Sequence, residues 1–189
     1  MKCLLRSYRL DDLERLRHLA DDFSVVQWMG LVFPYPYTAE AAKSWIERAL
    51  AASPPNNLVI EVDGVMAGDI GIAVRDGLRQ GVGELGYWVG RDYWGRGIVT
   101  EAIRLFVNYA FGERRLRRLE AHIFAPNVAS ARVLEKNAFV LEGTFEDRVT
   151  DRQGNIQDEL FYALLSTNDS RCDRSIRCCA CSHGRRHDL

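Results

Sequence analysis

The sequence predicts an α+β, or mixed α/β, fold around one central sheet. Three observations predict it. Helical and strand periods alternate along the chain, Asp63-Gly64 and Gly154-Asn155 are turn signals between strand-like runs, and no internal repeat interrupts the pattern.

The elements follow in order. Residues 3–8 suit a short strand. Asp11 or Asp12 can cap a helix to about residue 20, in which Leu13, Leu16 and Leu19 recur at helical spacing. The aromatic stretch from residue 28 to 37 contains Pro34 and Pro36, which favour an extended loop. Thr38 can cap the next helix, with Ala42, Trp45, Ile46 and Ala49 on its apolar face, and Ser53-Pro54-Pro55-Asn56 ends it. Strands at residues 58–62 and 65–74 flank Asp63-Gly64. Gly77 and Gly81 mark a flexible connection to a strand at 84–89. A turn through Trp94, Gly95, Arg96 and Gly97 leads into a helix over about 98–111. A strand at 119–124, a short helix at 128–137 and a hairpin of strands at 139–150 and 156–165 complete the pattern.

At 189 residues, with hydrophobic residues at 47% and charged ones at 27%, the chain suits one soluble domain whose core is large enough to dispense with disulfides. A net charge of −1 gives no basic field to draw it to nucleic acid. No run approaches a membrane span, and the N-terminal segment has no signal-peptide core, so a cytoplasmic location is expected. Cys3 stands alone in the body, whereas Cys172, Cys178, Cys179 and Cys181 crowd the last residues. One body cysteine fits a reducing compartment. We therefore expect a domain over 1–165 and a Cys/Arg-rich, disordered tail over 166–189. Cys178, Cys179, Cys181, His183 and His187 lack the paired spacing of a zinc knuckle, and no metal site is expected.

The chemistry concentrates between Glu84 and Phe139. Gly95 and Gly97 allow backbone N–H groups to approach a ligand, the N–H groups that open the following helix suit a phosphate, and Arg96 adds charge nearby. An ordinary turn into a helix would also explain the glycines, and on the glycine motif alone is the preferred reading. The segment matches neither the dinucleotide fingerprint G-x-G-x-x-G, since Thr100 holds the third place, nor the P-loop.

Three segments carry a resemblance. YWGRGIVTEA resembles the acyl-CoA-binding turn of the GNAT superfamily of N-acetyltransferases. NVASARVLEKNAF, residues 127–139, resembles its N-x-x-S-x-x-x-L-E-K-x-G-F segment. FPYPYTAEAAKSWI is similar to the N-terminal region of the branch containing the RimJ and RimL ribosomal-protein acetyltransferases. The resemblance implies a GNAT-like domain with a mostly antiparallel, twisted sheet, splayed between the strands at 84–89 and 119–124 and flanked by helices. It implies acetyl-CoA as co-substrate, with pantetheine along Tyr87, Trp88 and Val89 and the pyrophosphate on Trp94, Gly95, Arg96, Gly97, Ile98 and Val99. Val99 is bulkier than the family's usual glycine or alanine. Asn127 caps the helix it begins, and the resemblance also implies a hydrogen bond from it to the cofactor.

For mechanism, the resemblance implies a carboxylate base at Glu84 for the amine, and a backbone N–H near Val89 for the developing oxyanion. The family's usual tyrosine acid falls at Leu134, which cannot donate, and Ser130 is the candidate instead. Strand-end solvation and helix packing would explain Glu84 and Ser130 without catalysis. Trp28, Phe33, Tyr35 and Tyr37 line an acceptor pocket or pack helices onto the sheet. Asp21, Asp22, Glu40 and Glu47 are the residues able to make that pocket acidic. His18 and His122 show no metal or nucleophile pattern.

The implied function is transfer of acetyl from acetyl-CoA to a primary amine, a protein N-terminus or a small molecule, by direct attack in a ternary complex. The branch's habit also raises a homodimer. A non-catalytic acyl-CoA-binding module is the alternative, separable by Ser130→Ala and Glu84→Gln: lost turnover with retained cofactor binding marks the enzyme. A role carried by the tail would instead disappear on deleting residues 166–189.

Overall fold

The computed structural model describes residues 2–167. The tail's cysteines and histidines lie outside the described residues.

Seven strands form one sheet in the order β1-β2-β3-β4-β5-β7-β6. They are β1 (Cys3–Arg6), β2 (Asn57–Val62), β3 (Val65–Val74), β4 (Val82–Val89), β5 (Arg118–Phe124), β6 (Val140–Thr150) and β7 (Ile156–Leu165). Every neighbouring pair is antiparallel except β4 and β5. Among the described residues, five α-helices accompany them: α1 (Leu13–Ala20), α2 (Phe23–Val26), α3 (Ala39–Ala51), α4 (Ile98–Asn108) and α5 (Val128–Lys136). Among the described residues no helix is long and apolar enough to cross a membrane.

The two faces of the sheet carry separate cores. On one, Ile98, Ala102, Ile103 and Phe106 of α4 and Ala131 and Leu134 of α5 pack against Ile60, Ile70, Ile72, Leu85, Leu119 and Ala121. The α4 positions repeat at helical spacing, so one stripe of that helix is buried. On the other face, Leu16 and Leu19 of α1 and Ala42 and Ile46 of α3 meet Val59 and Met66, with Phe33 and Trp88 against them.

Short side-chain bonds fix the helix starts. Thr38 accepts from the Ala41 N–H at 3.2 Å, Asp22 from the Ser24 N–H at 2.8 Å, and Asn127 from the Ser130 N–H at 3.2 Å. The Asp22 cap creates α2, a single turn that sequence periodicity does not predict. The helix expected over 98–111 changes character at Tyr109: a wider turn, Tyr109–Glu113, ends it. There the Tyr109 hydroxyl donates to the Pro55 carbonyl at 2.7 Å, and Arg114 donates to the same carbonyl and to Asn56 at 2.8 Å.

Two polar clusters sit under the α1–α3 face. In the first, Arg6 joins Asp12, at 2.6 and 2.7 Å, to Glu61, at 2.5 Å. In the second, buried Asp69 accepts from the Tyr8 hydroxyl and from Asn57 Nδ2 at 3.2 Å, while Trp45 Nε1 donates to Tyr8 at 3.0 Å. Burial raises the Asp69 carboxyl from 3.8 to about 6 despite these donors. A carboxyl raised on folding holds its proton in the native state between those values while the unfolded chain releases it. Asp69 thus lowers stability as pH rises through that window, by up to roughly 3 kcal/mol. Asp69→Asn, with the Asn57 amide turned to accept, is expected to remove this decline. The measurement is chemical denaturation of both proteins from about pH 4 to pH 7. A variant destabilised equally throughout would refute it.

Candidate active site

The site begins where the sheet divides. β4 and β5 pair through Val82–Arg118, Gly83–Leu119 and Glu84–Glu120, and no further. Beyond Glu84, β4 continues to Val89 bonded to β3 alone, while β5 continues to Phe124 bonded to β7. A wedge opens between them, leaving one edge of β4 without a strand partner from Leu85 to Val89. Gly86 lies in this open stretch and is exposed; a Cβ built on it meets nothing within 4 Å.

At the wide end of the wedge, β4 runs into the glycine turn. Gly95 and Gly97 adopt φ of +70° and +74°, a conformation costly to residues with a Cβ. Gly97 is the N-cap of α4, and no side chain caps it. The first N–H groups of α4 therefore face outward without intrahelical acceptors, beside the positive end of the helix dipole. Space around both glycines is clear: a Cβ on either meets nothing within 4 Å. Trp94 anchors the turn, its indole donating to the Val89 carbonyl at 3.0 Å. Arg96 is exposed, Ile98 is buried, and Val99 packs its side chain against the core under α4. An anionic group on an extended stem fits this arrangement.

On the α4–α5 face, Tyr87 of β4 and Ser130 of α5 meet across the wedge, hydroxyl to hydroxyl at 2.6 Å. Burial pushes the Tyr87 hydroxyl well above its ordinary range, more than the Ser130 bond lowers it. It therefore stays neutral, able either to donate or to accept. Leu134, where the resemblance would place a tyrosine, is fully buried in the core. The cap from Asn127 fixes Ser130, and Tyr87 supplies a second hydroxyl that sequence spacing does not reveal.

The opposite face bears Glu84, Trp88, Glu120, His122 and Phe124. Glu84 sits on the last paired rung and makes an ion pair with Arg75. Glu120 pairs with Arg118 at 2.6 Å, and Arg118 also binds Glu142. His122, partly exposed, has Nδ1 at 3.3 Å from Glu159 Oε2, which Arg148 contacts at 3.0 Å.

The aromatic loop closes one side of this face. Trp28 lies against Phe124 at 6.2 Å between ring centroids, and Phe33 stacks on Tyr37 and meets Trp88 edge-on. Tyr35 contacts Phe23 instead and is half exposed. Arg152, from the β6–β7 turn, holds the loop by donating to the carbonyls of Val26, Gly30 and Phe33. Asp21 and Asp22 serve backbone N–H groups of Tyr37 and Ser24, Glu47 approaches Lys43 at 4.0 Å on the surface, and His18 is exposed on α1.

Comparison with known proteins agrees with this geometry. Residues 2–140 match the family model described as acetyltransferase (GNAT) domain. Among curated relatives, probable N-acetyltransferase YjcK of Bacillus subtilis is 40% identical over 87 residues, which are 46% of this chain and 48% of that protein. The match thus spans about half of that relative's length. Uncharacterized N-acetyltransferase p20 of Bacillus licheniformis is 29% identical over 85% of this chain and 91% of its own. Among solved structures, RimJ of Mycobacterium smegmatis in complex with CoA-disulfide has a TM-score of 0.75 at 26% identity, covering 87% of this chain and 82% of that one.

Proposed function

Since the chain belongs to the GNAT acetyltransferase domain family, we propose that it moves an acetyl group from acetyl-CoA to a primary amine, by direct attack in a ternary complex. The observation that carries this reading is the wedge between β4 and β5, with the glycine turn at its mouth and hydroxyls at its wall. The CoA bound by the RimJ structure supports the choice of cofactor.

The unpaired edge at Tyr87, Trp88 and Val89 takes the pantetheine amides as a strand edge takes a peptide. Backbone N–H groups of the segment Trp94, Gly95, Arg96, Gly97, Ile98 and Val99 hold the pyrophosphate, and Asn127 adds a side-chain contact. A backbone N–H near Val89 receives the developing negative oxygen. Ser130 donates to the leaving sulfur, and Tyr87 supports it by donating to Ser130 Oγ. The amine approaches from the opposite face, between the aromatic loop and β5. Glu84 stands on that face as one candidate to take its proton, directly or through water. The acceptor is a protein N-terminal amine or a small-molecule amine, and the cytoplasm is the proposed setting.

The test is thiol release from acetyl-CoA against a panel of N-terminal peptides and small amines. Ser130→Ala is expected to lower kcat by about 10²-fold, the scale of losing one transition-state donor, with acetyl-CoA affinity unchanged. Full kcat in the variant would remove Ser130 from the mechanism. Wild type that binds acetyl-CoA yet acetylates nothing would remove the enzyme reading.

A further inference from the structure

We propose that His122, oriented by Glu159, is the general base that takes the proton from the attacking amine. The inference rests on the acetyl-transfer reading above and assigns that site's proton acceptor.

The position comes first. Glu120 is opposite Glu84 on the last rung shared by β4 and β5, and His122 is two residues further along the same face of β5. It therefore borders the open part of the wedge, level by residue count with exposed Gly86, which itself carries no side chain. The Tyr87–Ser130 pair flanks the wedge on the other face. With the Tyr87–Ser130 face serving the leaving sulfur, His122 is on the face left for the amine. Glu84 stands at the vertex, where the strands are still bonded, and Arg75 engages it.

The chemistry agrees. A carboxylate at 3.3 Å from Nδ1 favours the tautomer with its proton on that nitrogen, leaving the Nε2 lone pair to accept. One side of the ring packs against Phe161, with centroids 4.8 Å apart, and the side chain retains 28% exposure for an incoming group. The charged neighbours are balanced by partners: Arg118 by Glu120 and Glu142, Arg148 by Glu159, and Arg75 by Glu84.

In the step, the amine lone pair forms the C–N bond and the C–S bond breaks with its electron pair going to sulfur. The proton leaving nitrogen passes to His122 Nε2, and the imidazolium then returns it to water. Glu159 is a positioning residue that acts through His122.

The experiment uses the full chain and an amine that wild type acetylates. Acetyl-CoA affinity is measured by titration, and kcat/KM for the amine from about pH 6 to pH 10, a range spanning imidazole and alkylamine ionisation. His122→Gln should bind acetyl-CoA as wild type does and lose about 10²–10⁴-fold in kcat/KM near neutral pH. The loss should shrink as pH approaches the amine's own pKa, and the acid limb given by a titrating base should disappear. Glu159→Gln should give a smaller loss and shift that limb. His122→Asn repeats the test if glutamine disturbs the Phe161 contact. Wild-type kcat/KM in His122→Gln, a loss constant with pH, or disappearance of the acid limb in Glu84→Gln would each overturn the proposal. Wild type that binds acetyl-CoA but turns over no amine at any pH would sink the acetyl-transfer reading and this inference together. An active wild type with an equally active His122→Gln sinks this inference alone.

Discussion

Replacing Gly97 by valine is expected to abolish measurable acetyl-CoA binding while leaving the fold intact. The residue has φ +74°, where a β-branched side chain is strained by about 1–3 kcal/mol. The chain relieves that strain by rotating the peptide that presents the first N–H groups of α4, so the anion cradle is lost. The new side chain also projects into the space where phosphate would lie, since a Cβ at Gly97 touches no protein atom within 4 Å. For the same reason it clashes with nothing in the core. Calorimetric titration should show affinity weakened by at least about 10²-fold, the sum of the strain and the lost dipole contacts. A melting curve close to wild type should accompany it. Binding that survives would move the phosphate away from this turn.

Arg6→Leu is expected to be strongly destabilising. The guanidinium is 13% exposed and is the shared partner of Asp12 and Glu61, whose side chains are 7% and 12% exposed. Removing it strands two nearly buried carboxylates, a loss of about 3–5 kcal/mol for a broken buried ion pair. The pH dependence gives a second check. Burial raises the Asp12 carboxyl, but hydrogen bonds from Arg6 and the Arg9 backbone hold it below its ordinary value of 3.8. A depressed carboxyl stabilises the native state above its unfolded pKa and loses that contribution as pH falls through its folded value. Wild type should therefore weaken in acid below about pH 4, and the gap between wild type and variant should narrow there. Urea denaturation at neutral and acid pH measures both. An equal gap at both would show that packing, rather than charge, sets the cost.

Much of the fold is legible in local chemistry. Asp63-Gly64 joins β2 to β3, the Thr38 cap starts α3, and Gly97 starts α4, because each signal acts within a few residues of itself. The starts of β4 and β5 fall one or two residues earlier than periodicity gives, since they depend on pairing with each other at Val82 and Arg118. The glycine turn is equally readable, as positive φ restricts residue choice. What sequence hides is contact across the sheet. Ser130 looks like a helix-start serine until Tyr87 meets it from β4. His122 looks like a strand histidine until antiparallel pairing of β5 with β7 brings Glu159 beside it. Arg152 sits in a surface turn and gives no sign that it clamps a loop from the other end of the chain.

The division of the sheet has one more consequence. A strand edge with idle amides is a template for any extended chain, and proteins suppress such edges because they recruit neighbours into aggregates. Here the idle edge of β4 lies inside the sheet, facing β5, while the outermost strands are β1 and β6. An extended chain adding to this edge would have to enter between β4 and β5, past the last rung they share at Glu84 and Glu120. Its position thus keeps an adhesive edge away from other copies of the chain.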